Sequence, residues 1–159
     1  MIESCLICSG SAKIMNSYSH KCLECGYFFS SLSSGFGQDV KGLENLRKKN
    51  FKKILCFILN FNNNPKILEI GSGDGYFIEE CIDLNISISG SEASPESFKK
   101  LKNKFNKKAK IYKLSLPESI IKKTKSKFDV IIFNDVFEHL KNLNKVINSS
   151  LHALKKGGI

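Results

Sequence analysis

The spacing of apolar residues changes repeatedly along this chain of 159 residues. From Asp39, a suitable N-cap, apolar side chains recur at helical spacing as far as position 59, and this helix should end near Asn62. After Pro65, short apolar runs alternate with amphipathic segments. The pattern predicts strands at 66–70, 86–90, 110–114 and 128–133, and further helices at 76–84, 95–105 and 142–155, the last capped by Gly157 and Gly158.

Alternating strands and helices with short connections predict an α/β fold, a Rossmann-like parallel sheet with helices on both faces. Residues 1–30 lack this pattern, and the stretch at 30–37, which is rich in Ser and Gly, is typical of a linker. We therefore expect a small module at 1–30, a linker with a lead-in helix at 31–64, and the sheet domain at 65–159.

The chain is strongly basic, with 25 Lys and Arg against 15 Asp and Glu and a formal net charge of +10. Clustered cations bind polyanions, which makes nucleic acid a candidate partner. It is less favoured than a small molecule, because Arg47 is the one arginine and nucleic-acid recognition relies on guanidinium groups. Neither a secretion signal nor a run of 18 apolar residues occurs, so we expect a cytoplasmic protein without a membrane partner.

Four of the six cysteines form two close pairs near the amino terminus, Cys5 with Cys8 and Cys22 with Cys25. Two such pairs supply four thiolates, which suits a closed, tetrahedral zinc site of the structural type. A module too small for a hydrophobic core would depend on that ion to fold. Cys56 and Cys81 lie on apolar faces of predicted helices and are expected to be buried bystanders, and His20 is also expected to be a bystander.

The first predicted strand of the sheet domain carries Glu69 and runs into a glycine-rich turn with Gly71, Gly73 and Gly75. Glycine accepts positive φ and lets a ligand approach the backbone closely. The dinucleotide fingerprint does not fit, because it needs glycine where Tyr76 stands. The alternative explanation is an ordinary turn between a strand and a helix.

A second acidic residue, Glu92, follows the next predicted strand, 17 positions after Gly75. A carboxylate at that end of a neighbouring strand can accept hydrogen bonds from both hydroxyls of a ribose. Alternatively, Glu92 is an acid favoured by the positive end of the following helix. Glu96 fills that second role better, because Ser94 and Pro95 begin the helix.

The last predicted strand ends in polar residues and leads to Glu138 and His139. Its end would bring Asn134 to the rim where cofactor and substrate meet. Histidine is a common general base, which makes His139 a candidate for that role. The same Glu-His-Leu turn could equally begin the next helix, and both explanations stay open at this point.

Three stretches together resemble the class I S-adenosylmethionine-dependent methyltransferases: the E-x-G-x-G-x-G run at 69–75, the sequence GSEAS at 90–94, and F-D-V-I followed by E-H-L at 128–140. The resemblance implies S-adenosylmethionine as cofactor and a structural zinc ribbon on the four paired cysteines. It also implies an active site lined by Glu138 and His139. The implied cofactor-binding residues are Glu69, Gly71, Gly73, Gly75, Glu92 and Asn134.

Relatives with such a ribbon act in sugar, surface-polysaccharide and small-metabolite pathways, which implies methyl transfer to a small-molecule or sugar-type acceptor. A methyltransferase for rRNA or tRNA and a non-catalytic cofactor-binding module are the alternatives. Many relatives hold the adenine amino group with an acid where Ser115 stands here, so no adenine acid is expected.

In such relatives a fifth strand follows the helix that is predicted to end near Lys155. We expect this chain to provide four strands, which would leave one side of the strand at 128–133 open to another chain. On that expectation the isolated chain would self-associate through the sheet edge, bind cofactor weakly and lack useful methyl-transfer activity.

Overall fold

The computed structural model describes residues 4–32, 42–113, 127–140 and 142–159. They form a small antiparallel sheet of three strands and, after it, a parallel sheet of four strands with helices. The elements of the first part are β1 (Ala12–Ile14), β2 (Ser19–Cys22) and β3 (Phe28–Ser30). Those of the second are α1 (Glu44–Phe61), β4 (Lys66–Ile70), α2 (Tyr76–Asp83), β5 (Ser87–Glu92), α3 (Pro95–Phe105), β6 (Lys110–Lys113), β7 (Val130–Phe133), a 3-10 turn (Phe137–His139) and α4 (Leu143–Ala153).

The second sheet has the strand order β6-β5-β4-β7, and every neighbouring pair is parallel. Ile70, at the end of β4, lies opposite Ser91 of β5 and Phe133 of β7. The carboxyl ends of these three strands therefore meet at one edge, which is where open α/β sheets bind their ligands. The predicted α/β fold with a parallel sheet is confirmed.

Strand β4 is buried along its whole length after Lys66 because both of its faces are covered, and Glu69 is its one polar residue there. Ile67 packs on one face, in a core that includes Leu55 of α1 and Phe77 of α2. Leu68 points to the opposite face and packs in a second cluster with Phe128 and Ala153. The alternation along one strand thus joins two hydrophobic layers, as a sheet covered on both sides requires.

Two predicted helix ends are wrong. The first helix begins at Glu44 rather than Asp39, because Gly42 has φ of +94° and Leu43 is not helical. The last helix ends at Ala153, and Gly157 and Gly158 do not cap it. Several positions of the predicted elements lie outside the described residues, including Asp39, Leu114, Ser115 and most of the linker at 30–37.

The outer side of the last strand is not open along its first residues, which corrects the expectation from the sequence. Phe128 pairs with Leu154 in a parallel bridge, and Ile159 exchanges backbone hydrogen bonds with Asp129 (3.0 Å) and Ile131 (2.9 Å). The Asp129 carboxylate fixes this arrangement, because it accepts from the backbone of Lys66 at 2.9 Å and from Lys155 Nζ at 2.8 Å. The segment after α4 therefore turns back along the sheet edge.

A helix that crosses a membrane has about 20 mostly apolar residues. No helix in the described parts of the chain has the length and apolar character to do so.

Replacing Phe77 by Ala should destabilise the fold strongly. The ring is 1% exposed and meets Phe51 edge-on at 5.4 Å between centroids, so its loss leaves a cavity in the main core. We expect the free energy of unfolding to fall by roughly 3–5 kcal/mol. Urea denaturation of Phe77→Ala measures this, with Phe57→Ala as control, because Phe57 is 68% exposed and its loss should change stability little. Equal effects of the two substitutions would contradict the packing described.

Candidate cofactor site and cysteine cluster

The turn between β4 and α2 needs its three glycines for different reasons. Gly71, Gly73 and Gly75 all have positive φ, at 71°, 50° and 80°. A Cβ on Gly71 would lie 2.5 Å from Val136 Cγ2, and one on Gly75 would overlap the Phe105 ring. Around Gly73, in contrast, no atom lies within 4 Å of such a Cβ. The two outer glycines let the turn pack tightly, and the middle one leaves open space for a ligand.

This glycine turn is fastened to the end of β5. The backbone of Ser72 donates to Ser91 O at 2.8 Å, and Ser91 N donates back to the Ser72 hydroxyl at 3.3 Å. Gly73 N donates to Glu92 Oε2 at 3.0 Å. The turn and the end of the neighbouring strand therefore form one rigid rim.

Glu92 is held in place by backbone N–H groups. Besides Gly73, its carboxylate accepts from Ala93 N at 2.8 Å and Ser94 N at 3.1 Å, just before α3 begins. Three donors use only part of the accepting capacity of two carboxylate oxygens. Glu92 is thus oriented at the rim and can still accept bonds from the hydroxyls of a ligand.

Glu69 is buried beneath this rim, with 2% of its surface exposed. Its Oε1 accepts from Asn134 Nδ2 at 2.9 Å, whereas Oε2 has no hydrogen-bond partner among the described residues. Burial raises the pKa of Glu69 to about 7, although Asn134 and Ser72 act to lower it. A buried carboxyl with one unsatisfied oxygen is suited to a cationic donor.

The first turns of α1 close over the same edge, which the sequence analysis did not predict. Arg47 Nη2 lies 4.0 Å from Oδ2 of Asp135, the residue after Asn134. Lys48 Nζ lies 3.8 Å from Glu79 Oε2 of α2. Asp135 has φ of +52°, a strained value of the kind that concentrates at functional sites. The sequence signal that could have identified Arg47 is that it is the one arginine of the chain and lies near the start of a helix.

The structure places Glu138 and His139 in the 3-10 turn just beyond β7. His139 Nε2 lies 4.0 Å from Glu138 Oε1, and both side chains are well exposed. Phe137 anchors the turn by packing edge-on against Phe133, at 5.1 Å between ring centroids. The turn follows Asn134 on the same edge of the sheet, but no described contact joins His139 to Glu69 or Glu92.

The four predicted metal ligands come together. The sulfur atoms of Cys5, Cys8, Cys22 and Cys25 all lie within 4.8 Å of one another. Cys8 Sγ lies 3.5 Å from Cys22 Sγ, and Cys5 Sγ lies 3.6 Å from Cys25 Sγ. Four sulfurs around a tetrahedral zinc ion, each about 2.3 Å from it, would lie about 3.8 Å from one another. The donor set and its spacing therefore fit zinc. Across the described parts of the chain, this is the one convergent group of possible metal ligands.

The backbone around the cluster favours thiolates. Ile7 N and Gly10 N each donate to a sulfur of the first pair at 3.4 Å, and Glu24 N and Cys25 N donate to Cys22 Sγ at the same distance. The N–H of Cys25 is the main cause that lowers the pKa of Cys22 to about 6. Cys5 and Cys22 are buried, whereas Cys8 and Cys25 reach the surface.

The three expected bystanders lie outside this group. His20 is buried and stacks on Phe29 at 5.2 Å between ring centroids. Cys81 is buried in the main core, but Cys56 is exposed on α1, so its expected burial is wrong.

A family model described as a methyltransferase domain matches residues 43–159. The chain is also 38% identical over 98 residues to a ubiquinone biosynthesis O-methyltransferase of Pelagibacter ubique, a match over 60% of this chain and 40% of that protein. A protein of the same name from Bartonella tribocorum is 29% identical over 112 residues, with 64% and 45% covered. The chain thus spans less than half the length of these curated relatives.

Solved structures show the same fold. A SAM-dependent methyltransferase from Archaeoglobus fulgidus matches with a TM-score of 0.60 and 21% identity, over 70% of this chain and 48% of that one. The plantazolicin methyltransferase BamL, in complex with a triazolic desmethylPZN analog and SAH, matches with a TM-score of 0.64 and 24% identity, over 74% of this chain and 45% of that one. At these identities the likeness concerns the fold.

Glu69 should make the ligand-free protein less stable as pH rises. Its pKa is about 7 in the folded chain and 4.5 in an ordinary setting, so the native state keeps a proton that the unfolded state loses. The free energy of unfolding is therefore unaffected by Glu69 below pH 4.5. Between pH 4.5 and about 7 it falls by roughly 3 kcal/mol more than the free energy of unfolding of Glu69→Gln does. Urea denaturation from pH 4.5 to 8 measures the difference.

The exposed Glu96→Gln is the matched control, and its curve should run parallel to that of the unsubstituted protein. If the Glu69→Gln curve ran parallel as well, the buried carboxyl would not titrate as described.

Proposed function

The chain belongs to the methyltransferase-domain family, and from this membership we propose that it binds S-adenosylmethionine and transfers its methyl group to a small-molecule acceptor. The observation that carries the proposal is the rim formed by the open turn at Gly73 and the oriented carboxylate of Glu92. The similarity to ubiquinone biosynthesis O-methyltransferases supports a hydroxyl oxygen as the methylated atom.

Each part of the cofactor has a matching group at this rim. Glu92 would accept hydrogen bonds from the ribose hydroxyls. The open space at Gly73 would admit the part of the cofactor that joins the ribose to the methionine end. The unsatisfied oxygen of Glu69 would accept from the ammonium group of the methionine part, with Asn134 holding the carboxylate in place. Arg47 would bind the carboxylate of that same part, because a guanidinium binds such a group through two parallel hydrogen bonds.

S-adenosylmethionine, when bound, would supply a methyl group on a sulfonium sulfur. Attack of an acceptor hydroxyl oxygen on the methyl carbon would break the carbon–sulfur bond and give the methyl ether, S-adenosylhomocysteine and one proton. His139 would take that proton, because imidazole titrates near neutral pH. Glu138, 4.0 Å away, would stabilise the protonated ring. The rim contributes mainly by fixing the reacting partners in position.

Binding of S-adenosylhomocysteine should depend on Glu92 and not on His139. Loss of charge-assisted bonds to the ribose in Glu92→Ala should weaken affinity roughly tenfold to a hundredfold. His139→Asn and the exposed Glu96→Ala should bind as the unsubstituted chain does. Calorimetry on all four proteins gives the comparison. Unchanged affinity in Glu92→Ala would refute the ribose assignment, and no binding by the unsubstituted chain would overturn the proposed function.

The four cysteines are the basis of a second part of the proposal, a structural zinc ribbon. All four positions around the ion would be occupied by thiolates, which leaves none for a reacting water. We assign residues 1–30 to the ribbon, 31–64 to the linker and lead-in helix, and 65–159 to the cofactor-binding domain. Helix α1 of the middle part packs on α2.

The chain purified without chelators should contain about one zinc ion per molecule. Replacing Cys22 and Cys25 together by Ser should abolish zinc binding and unfold the ribbon, because its few buried residues cannot hold it alone. Cys56→Ser is the control, since that exposed cysteine lies on α1 and should not affect zinc content. Elemental analysis decides the point, and a zinc content near zero in the unsubstituted chain would exclude the ribbon.

A further inference from the structure

A cleft of about 370 Å³ separates the cysteine-bearing module from the segment that follows β7. Its volume lies in the range of small-molecule sites. The module contributes Leu6, Tyr27, Phe28, Phe29, Ser30 and Leu32. The other wall consists of Phe137, Glu138, Leu140 and Leu143.

The cleft begins close to the proposed cofactor site. Val136 lies against Gly71 of the glycine turn, and the next residue, Phe137, already lines the cleft. Glu138 lines it as well and lies beside His139. A molecule in the cleft would therefore reach from the ribbon to the groups that we assign to proton removal.

The wall contributed by the ribbon is rich in aromatic and apolar side chains. The rings of Tyr27 and Phe29 lie parallel, 6.0 Å apart at 10°. At the rim the side chains of Phe28 and Leu32 are 57% and 64% exposed, although both are strongly apolar. Phe29 is largely covered, so the exposed apolar surface comes mainly from Phe28 and Leu32, and it favours a ligand with an apolar ring.

The charge of the described lining disfavours phosphorylated ligands. Glu138 is the one charged residue among the described residues that line the cleft, and the nearby Lys21 Nζ lies over the Phe28 ring, 5.1 Å from its centre. A phosphate inside the cleft would meet the Glu138 carboxylate and mostly apolar side chains, which costs affinity. Ser30 and Tyr27 offer hydroxyl groups that can bond to a polar substituent.

We propose that this cleft binds the methyl acceptor, and that the acceptor is an uncharged molecule with an aromatic ring and a hydroxyl group. The proposal rests on the proposed methyl-transfer function and narrows it, because it disfavours nucleic acids and nucleotide-linked sugars as acceptors. It also gives the ribbon a role in acceptor specificity.

2-Naphthol and 2-naphthyl phosphate test the proposal, because they share a ring system and differ in charge. Binding is measured by calorimetry on the zinc-loaded chain saturated with S-adenosylhomocysteine. We expect 2-naphthol to bind the unsubstituted chain at least about tenfold more tightly than the phosphate. Glu138→Gln should reduce this ratio by improving the binding of the phosphate.

Phe28→Ser and Leu32→Ser should each weaken 2-naphthol binding, by roughly fivefold to tenfold, because each removes apolar contact from the rim. Leu23→Ser is the matched control, since Leu23 is 66% exposed on the same ribbon but does not line the cleft. All three residues are exposed, so the variants should fold, and their zinc content verifies this.

Equal binding of 2-naphthol by the Phe28, Leu32 and Leu23 variants would overturn the cleft assignment, as would stronger binding of the phosphate. The affinity for S-adenosylhomocysteine is measured on the same samples. A chain that does not bind it contradicts the proposed function. A chain that binds it and fails the 2-naphthol comparison contradicts the acceptor cleft alone.

Discussion

The site depends on one constraint, the fastening of the glycine turn to the end of β5. Ser72 and Ser91 exchange hydrogen bonds there, and Gly73 N donates to Glu92. Because the strands are parallel, the ends of β4, β5 and β7 already lie at one edge. The turn converts this edge into a rim on which the backbone N–H groups and the carboxylates have fixed positions. The hydrogen bond from Asn134, the residue after β7, helps to stabilise Glu69 in its buried position beneath the rim.

Most of this architecture could be predicted because its signals are local. The bounds of β4 and α3 follow from apolar runs and from the capping pair Ser94 and Pro95, and the structure has them at the predicted positions. The glycine turn and Glu92 were predicted from the spacing of residues after two strands and from the resemblance to the methyltransferase motifs. The contact between Glu69 and Asn134 joins residues 65 positions apart, and only the parallel topology of the sheet anticipates it.

The features that could not be predicted depend on contacts distant in sequence. Gly42 delays the start of α1, and the segment after α4 leaves the helix because its backbone pairs with Asp129 and Ile131. The helical spacing of apolar residues does not reveal that Arg47, near the start of α1, will lie beside Asp135 at the sheet edge. The cleft was even less predictable from the sequence, because its two walls come from residues more than 100 positions apart.

Those walls connect the two proposed sites physically. Cys22 ends β2, and its backbone N–H donates to Tyr27 O at 2.8 Å, where the aromatic wall of the cleft begins. Phe29 pairs with His20 across β2 and β3 and stacks on its ring. A ribbon with so few buried residues has little besides its thiolate cluster to hold these strands in register. Zinc bound by the four cysteines would therefore fix the shape of the acceptor cleft, although it would take no part in the methyl transfer.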